Sequence, residues 1–451
     1  MNRSENISQD RLEKLSQIER LNIDPYPAKT DKQLTASEAK KKKSKNMIVA
    51  GRIISIRMHG KAGFLDIQDE SGKIQILMKY DFIGEKGFDL LKLLDVGDFI
   101  EVTGDYFVTK TGEPTIQASK LKILTKAIKQ IPSSHQEIKN KEELYRKRYL
   151  DLLMNPETKK VFQVRAKFIS ELRNYLEKEN FIEVETPILQ PVPGGALAKP
   201  FMAHFNEYHT DVYLRVAPEL YLKRLIVGGF ERVYEVAKCF RNECADWSHN
   251  PEFTQVEFYA AYMDYEKLMD FTEKMIRELV KKVTGSYIIE KNGNEIDFSK
   301  KFDRKTFKEI SNGKMTDEAF KVGLEKLIQP TFVINHPLDI SPLAKKNDDK
   351  TAQRFQLVMA GIEVLNAYSE LNNPVEQKER FEEQMEMREK GNEEAQRMDD
   401  DFIEALEYGM PPTAGWGMGI DRFITILTDK HAIREVLLFP FMKPKNTNNK
   451  K

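Results

Sequence analysis

The chain has 451 residues, 40% of them apolar and 31% charged, the composition of ordinary globular domains rather than of a disordered or fibrous protein. Two or three domains are expected at that length, and the 71 basic and 71 acidic residues cancel, so any anion-binding surface must be local. Two cysteines, Cys239 and Cys244, exclude a disulfide framework; no apolar run approaches the roughly 18 residues of a spanning helix; and the polar N-terminus holds no signal-peptide core, so a cytoplasmic protein off the membrane is expected.

Leu12, Leu15, Ile18 and Leu21 recur at helical spacing until Asp24 and Pro25 end the pattern. The polar stretch after them closes in lysines at 40–43 and 45, read as a solvated face, so residues 1–46 form an N-terminal helix and polar linker. From Met47 the period changes to two. Five β-rich runs at 48–58, 63–69, 74–79, 99–108 and 115–123, parted by Gly, Asp and Lys turns, predict a small barrel of the OB type over 47–125. Phe64 and Gln75 fall on its early strands, with Arg57 nearby and Glu113 at a hairpin tip. An aromatic among polar groups either stacks single-stranded bases or belongs to the barrel core.

Residues 126–155 read as a linker with a charged helix at 142–148, and a last segment covers 156–447. It opens with a helix over 156–178 whose Val161, Val164, Phe168, Leu172, Tyr175 and Leu176 share a face. A strand at 181–187 is stopped by proline, and Pro193, Gly194, Gly195 and Ala196 leave a backbone free of bulky side chains. A strand is predicted at 213–216, helices at 218–225 and 265–282, and a charged surface insertion at 285–330. Then come a strand at 331–335, a strand pair at 354–371 bent around Ala360 and Gly361, and a charged, solvated helix at 376–396. Asp399, Asp400 and Asp401 read as the acidic opening of a helix at 402–406 rather than as a metal site.

The densest chemistry lies in 240–259, FRNECADWSHNPEFTQVEFY, which predicts a strand, a polar loop and a strand. Arg241 and Glu243 share a face of the first strand; Gln255, Glu257 and Tyr259 share one on the second, with Val256 and Phe258 turned away. An arginine, two carboxylates and a phenol on a sheet face cost desolvation unless a polar ligand lies on them. The alternative is a salt-bridged hairpin facing water. Cys239, Cys244 and His249 lack a fourth ligand and a common zinc spacing, so cysteines in packing roles are expected. In GWGMGIDRFITIL, Gly415, Gly417 and Gly419 alternate, which leaves one strand face bare for a flat ligand. Arg422 opens the helix marked by Ile420, Phe423, Ile424 and Leu427, placed for an anion or an aromatic ring.

These blocks resemble the three signature motifs of class II aminoacyl-tRNA synthetases, and the lysyl-tRNA synthetase family in particular. The long helix and FIEVETP with Pro187 resemble the first motif, FRNE with HNPEF and the following glutamate and tyrosine the second, and GWGMGIDR the third. PGGALAKPF, RVAPELYLKRL, NAYSELNNP and LEYGMPPTAGWGMGIDR read alike as well, so the resemblance runs from about 47 to 444. It implies an α+β protein: a five-stranded OB-type barrel that binds the anticodon, then a catalytic domain of antiparallel sheet flanked by helices, dimerising through the first motif. It implies that L-lysine and ATP, with Mg2+, give lysyl-adenylate, and that lysine then passes to the 3′ end of tRNA(Lys).

By position, the resemblance implies that Arg241 holds the α-phosphate and the lysine carboxylate. Glu243 and Asn250 would meet the adenine end, His249 the outer phosphates, and Phe253 and Arg422 the two faces of the ring, with Gly419 and Glu363 also on the nucleotide. Gly195 and Glu219 would receive the α-amino group, and Glu257, Tyr259, Asn366, Tyr368 and Glu370 would line the side-chain pocket. Arg57, Phe64, Gln75 and Glu113 fall where the family reads the anticodon. One position departs: of the two metal-binding glutamates implied, Glu363 is present, but Gln356 stands at the other. The chemistry fits the residue types. A carboxylate is already a nucleophile, so positioning and cations facing the phosphoryl charge suffice without a general base. Aspartyl- and asparaginyl-type enzymes need positive or amide groups where this pocket offers Glu370, and a paralogue that modifies a protein factor lacks an OB domain. A non-enzymatic RNA-binding or regulatory relative has Gln356 in its favour and intact Arg241, Glu243, His249 and Arg422 against it.

Overall fold

The computed structural model describes residues 3–132, 140–314 and 316–445; the parts of the expected segments at 1–2, 133–139, 315 and 446–447 lie outside the described residues. The chain forms two compact units, 1–139 and 140–451.

In the first unit, helices α1 (Arg3–Arg20) and α2 (Ala36–Lys42) precede a closed barrel of β1 (Met47–His59), β2 (Ala62–Asp69), β3 (Gly72–Lys79), β4 (Phe99–Val108) and β5 (Pro114–Thr125), in the order β1-β2-β3-β5-β4. Alternate residues such as Ile53, Leu65, Ile67, Ile76, Ile100 and Val102 fill its interior, and Ile18, Ala36 and Ala39 close one end. A helix absent from the sequence reading, α3 (Tyr80–Leu93), carries Phe88, Leu90 and Leu91 into that core. Gly84 (φ +69°) kinks it, and so breaks the periodicity that would have revealed it.

The second unit begins with α4 (Lys141–Arg146) and α5 (Arg148–Met154), so part of the segment read as a linker is folded into it. The long α6 (Pro156–Lys178) has its proline at the first turn, where no N–H is required, and buries Val161, Phe168, Leu172, Tyr175 and Leu176. Short strands β6 (Ile182–Glu183), β7 (Leu189–Gln190), β8 (Met202–Phe205) and β9 (Thr210–Leu214) lead to α7 (Glu219–Val227). The central hairpin is β10 (Arg232–Phe240) and β11 (Glu252–Ala261), followed by α8 (Tyr265–Thr284). Next come β12 (Ile288–Lys291), β13 (Asn294–Asp297), β14 (Asp303–Thr306), α9 (Phe307–Ile310), α10 (Asp317–Leu324), β15 (Thr331–Pro337), β16 (Thr351–Met359) and β17 (Ile362–Ser369). The chain closes with α11 (Pro374–Glu389), α12 (Asp400–Glu407), β18 (Thr413–Gly419) and α13 (Ile420–Leu427).

One eight-stranded sheet, ordered β14-β15-β16-β17-β18-β11-β10-β6, organises this unit. Its six inner strands are antiparallel, and only the edge strands β14 and β6 pair in parallel. Phe258, Trp416, Leu365 and Phe355 point to one face, where α6, α8 and α13 cover them; the opposite face is left for polar side chains. The sequence reading of 285–330 as a surface insertion is corrected: β14 belongs to the main sheet, and Ile296, Phe298 and Phe302 join the main core. So too with α11, whose Gln377, Arg380, Phe381 and Gln384 are buried. Asp399 caps α12, accepting from the Phe402 N–H at 3.0 Å, and pairs with Arg224 at 2.8 Å.

Arg148, 2% exposed, binds Asp151 at 2.6 Å and the carbonyls of Arg434, Leu437 and Leu438. Removing it strands a buried carboxylate and three acceptors, at a cost of about 3 kcal/mol or more. Arg148→Ala should therefore lower the thermal midpoint by on the order of 5 °C or more. Lys160→Ala, which breaks only the exposed pair with Glu157, should leave it nearly unchanged in the same scan.

Candidate active site

The sheet's polar face owes its shape to register. β18 lies between β11 and β17, so Gly415 is flanked by Tyr259 and Tyr368, and Gly417 by Glu257 and Asn366. One strand further, Arg354 follows Tyr368, and Gln356 follows Asn366. A strand without side chains thus runs between two strands bearing polar ones. The trough opens into a cavity of about 370 Å³ lined by Gly195, Glu219, Arg241, Tyr368, Gly417 and Arg422 among others.

Arg241 and Glu243 are not on the strand as expected. β10 ends at Phe240, because the next partner is Pro251, which accepts from the Arg241 N–H (2.9 Å) but has no N–H to return. Both side chains still reach the cavity. The Arg241 guanidinium lies 5.1 Å from the Phe253 ring centroid, and its Nε is buried without a partner. Glu243 accepts from the Lys199 N–H at 3.3 Å. Asn250 lines the cavity with its amide committed: Nδ2 donates to the Glu252 carbonyl (2.6 Å) and Oδ1 accepts from the Phe441 N–H (3.3 Å).

His249 sits in a chain of polar groups. Its Nδ1 faces Asp246 at 3.0 Å and its Nε2 faces Arg422 Nη2 at 3.2 Å, which fixes the tautomer with the proton on Nδ1. Asp246 is held well below the usual carboxylate range: partial burial opposes ionisation, but the Ser248 and His249 N–H groups and the His249 ring outweigh it. Arg422 also donates to the Glu363 carbonyl at 3.3 Å. The result is a cationic end of the cavity with Arg241 and Arg422 on it.

The opposite, closed end is acidic. Glu257 receives Tyr259 Oη at 3.1 Å and the amide of Gln255, and burial pushes it up to about 8, with Glu219 adding to the shift. Glu219 accepts from Tyr368 Oη at 2.7 Å and pairs with Lys223 at 2.6 Å. Asn366 Oδ1 accepts from Arg354 Nε at 2.8 Å. Gly195 holds φ +88°, and a side chain on it would come within 2.8 Å of Glu219 Cβ, so this turn must be glycine to seat against the carboxylate. Glu370 differs from its neighbours: it is 1% exposed, lies behind the cavity wall at Gly415, and is paired with Lys223. Glu370 thus has a cationic partner within the protein itself.

Every other residue expected on the nucleotide or the amino acid, His249, Phe253, Glu363 and Gly419 included, lines this one cavity. Gln356 lies in its wall with Oε1 buried and unpartnered, and the Glu363 carboxylate has no ion pair among the described residues. The packing role expected for cysteine holds for Cys239, which is buried with its thiol pushed up to about 12. It fails for Cys244, which is exposed with Sγ 3.5 Å from Asp246. Cys244, Asp246 and His249 lie close together, but Asp246 and His249 are already engaged with each other and with Ser248. Sequence reasoning missed Lys223 and Arg354, which look like surface charges; the spacing of four from Glu219 to Lys223 on a helix was the available signal. It also gave no role to Asp246 or to Gln255.

In the barrel, Arg57 and Phe64 are direct cross-strand partners, as are Asp66 and Gln75. Phe64 is half-buried and faces away from the interior, so it does not belong to the barrel core. Thr115 Oγ1 bonds both Gln75 Oε1 (2.9 Å) and the Glu113 carbonyl (3.0 Å), which brings the hairpin backbone at Glu113 beside Gln75.

The fold and this site define a class. Residues 140–443 match the family of tRNA synthetases class II (D, K and N), and residues 47–124 match the OB-fold nucleic acid binding domain. The chain is 45% identical to the lysine–tRNA ligase of Thermoanaerobacter sp. (strain X514), over 97% of this chain and 96% of that one. Identity is 44% to that of Thermotoga maritima (97% and 96%) and 43% to that of Campylobacter jejuni strain RM1221 (97% and 97%). The chain belongs to the lysine–tRNA ligase family of class II synthetases.

The raised Glu257 gives a stability test. The folded state holds a proton that the unfolded chain releases near 4.5, so between 4.5 and about 8 stability falls as pH rises. The thermal midpoint of the unliganded protein should drop from pH 5 to pH 8.5. Glu257→Gln, isosteric and uncharged, should flatten that drop by a few degrees while matching wild type at pH 5; parallel curves would show that Glu257 titrates normally.

Proposed function

We propose that the cavity activates L-lysine with ATP to lysyl-adenylate and passes the lysyl group to the 3′ end of tRNA(Lys). One observation carries this reading: three buried carboxylates, Glu219, Glu257 and Glu370, gather with Tyr259 and Tyr368 at the closed end, while Arg241 and Arg422 stand at the other. A diammonium amino acid with a carboxylate, beside a polyphosphate, is complementary to that arrangement. A pocket for aspartate or asparagine is not.

In this reading Arg241, with its free Nε, bridges the lysine carboxylate and the α-phosphate and brings nucleophile and phosphorus together. Arg422, held by the Glu363 carbonyl and His249, faces the outer phosphates and one face of the adenine; Phe253 takes the other. Glu243 and Asn250 border the adenine end, and Gly419 lets it approach. Glu219 and Gly195 receive the α-amino group; Glu257, Tyr259, Asn366, Tyr368 and Glu370 take the side chain. No side chain need accept a proton, since the attacking carboxylate is ionised; catalysis is alignment plus fixed positive charge.

Magnesium, when bound, supplies charge neutralisation between phosphate oxygens. The orphaned Oε1 of Gln356 and the Glu363 carboxylate fit as its protein oxygens, with one formal charge where two carboxylates would give two. The barrel face of Arg57, Phe64, Gln75 and Glu113 takes the anticodon, Phe64 by stacking. Exposed Ile182, Ile188 and Leu189 follow α6 and suit a homodimer interface. We place the enzyme in the cytoplasm; among the described residues no helix is long and apolar enough to cross a membrane.

Amino-acid-dependent ATP–pyrophosphate exchange across the twenty standard amino acids tests the reading. Exchange with lysine alone is expected; exchange with none would favour the non-enzymatic relative. Glu370→Gln should raise the KM for lysine by roughly tenfold to a hundredfold and leave that for ATP nearly intact. An unchanged lysine KM removes Glu370 from the pocket. For the metal, Gln356→Glu should lower the Mg2+ concentration giving half-maximal exchange, and should tighten Mg2+ binding by calorimetry in the presence of ATP. Superimposable titrations would mean that this oxygen does not meet the ion.

A further inference from the structure

Lys223 is a fully buried cation in a place that stability alone does not explain. It lies on α7 one turn after Glu219, its side chain has no exposure, and its ammonium pairs with Glu219 Oε1 at 2.6 Å and with Glu370 Oε2 across the strand end. The rings of Tyr368 and Phe402 flank it at 5.6 and 5.9 Å. Burying an ammonium costs several kcal/mol, and apolar side chains of similar volume often serve stability as well or better. The neighbouring groups show what the cost supports.

Glu370 has two inequivalent oxygens. Neither makes a hydrogen bond, but Oε2 is ion-paired with Lys223, whereas Oε1 has no ion pair and occupies the space beside Gly415 where a side chain would project. An added Cβ at Gly415 would overlap that oxygen and come within 2.5 Å of Tyr259 Cε1. The missing side chain at Gly415 therefore leaves only bare backbone between that buried oxygen and the cavity, which Gly415 lines and Glu370 does not.

We propose that Lys223 is the positioning residue of the lysine pocket: its ammonium holds Glu370 from behind by one oxygen, presents the other at the Gly415 gap, and braces Glu219 in the same contact. It touches neither reacting atoms nor ATP. The inference rests on the function proposed above. It also accounts for charge. Glu219, Glu257 and Glu370, when ionised, carry three negative charges at the closed end; Lys223 cancels one, and the remaining two equal the two ammonium groups of lysine. Arg354, the other cation of this wall, is bonded to Asn366 and interacts with Glu363 more strongly than with Glu219, and Arg241 stands at the cationic end.

The experiment is ATP–pyrophosphate exchange by full-length Lys223→Met, with lysine and with norleucine, which keeps the straight carbon chain of lysine and lacks its ammonium. Lysine KM should rise on the order of a hundredfold, ATP KM should stay within about twofold, and the preference for lysine over norleucine should fall by a similar factor, while the thermal midpoint is maintained. Lys223→Arg, which keeps the charge, should restore part of the preference. If the methionine variant does not fold, Lys223→Gln carries the same measurements. An unchanged lysine KM overturns the proposal, as does a parallel rise in both KM values with the preference intact, the signature of a merely structural role. Wild-type exchange with an amino acid other than lysine would instead overturn the site reading itself, independently of the variants.

Discussion

Three carboxylates buried on one sheet face repel one another and resist desolvation, and the architecture of the second unit is arranged around that tension. Glu219 arrives on α7, Glu257 on β11, and Glu370 just beyond β17. Two tyrosine hydroxyls, the Gln255 amide and Lys223 are the donors that make the cluster tolerable. Even so, burial leaves Glu257 and Glu370 raised, Glu370 well above its ordinary range despite Lys223. A site that remains under-neutralised after every protein donor is counted has affinity stored in it for cations of matching spacing.

The glycine strand makes this storage possible. With side chains at 415, 417 and 419, the carboxylates of β11 would be screened from β17 by intervening groups; with glycines, the trough is bounded only by its walls. The same strand carries Trp416 and Met418 on its other face, and Phe258 stacks on Trp416 at 4.8 Å. Polar function and hydrophobic anchoring thus alternate along one strand, so the site face stays bare without costing the sheet its hold on the helices. The first turn of α13 is tied in as well: Asp421 accepts from the Thr254 N–H at 2.9 Å and pairs with Arg165 of α6, which sets Arg422 over the trough.

Much of this was legible in the sequence, for a physical reason. Strand alternation writes Glu257 and Tyr259, or the glycines, on one face whatever else the chain does, and long amphipathic helices such as α6 state their own buried side. What was not legible depends on tertiary partners. β14 is a four-residue strand in charged text, too short to show a period, and the core residues Phe298 and Phe302 lie in the connection just before it. The end of β10 is set by Pro251 on the facing strand rather than by its own residues. Gly84 hides a helix by kinking it. Lys223 looked like one more lysine in a basic helix, and only the arrival of Glu370, 147 positions later, gives it a partner on each side.

The two ends of the cavity are stabilised by opposite strategies, and their difference bears on how the site works. At the cationic end Arg241 and Arg422 are held by few partners: Arg241 keeps a free Nε, and Arg422 leans on the Glu363 carbonyl and on His249 Nε2. Their charge is left available toward the cavity, which both line. At the acidic end every carboxylate is braced from behind on strands and a buried helix. In the function proposed above, the braced acceptors would select by distance and charge, and the two guanidiniums would meet phosphates whose charge changes during reaction. In that proposal selection and catalysis fall to different side chains on different elements, which meet only where a carboxylate of the bound amino acid would reach Arg241.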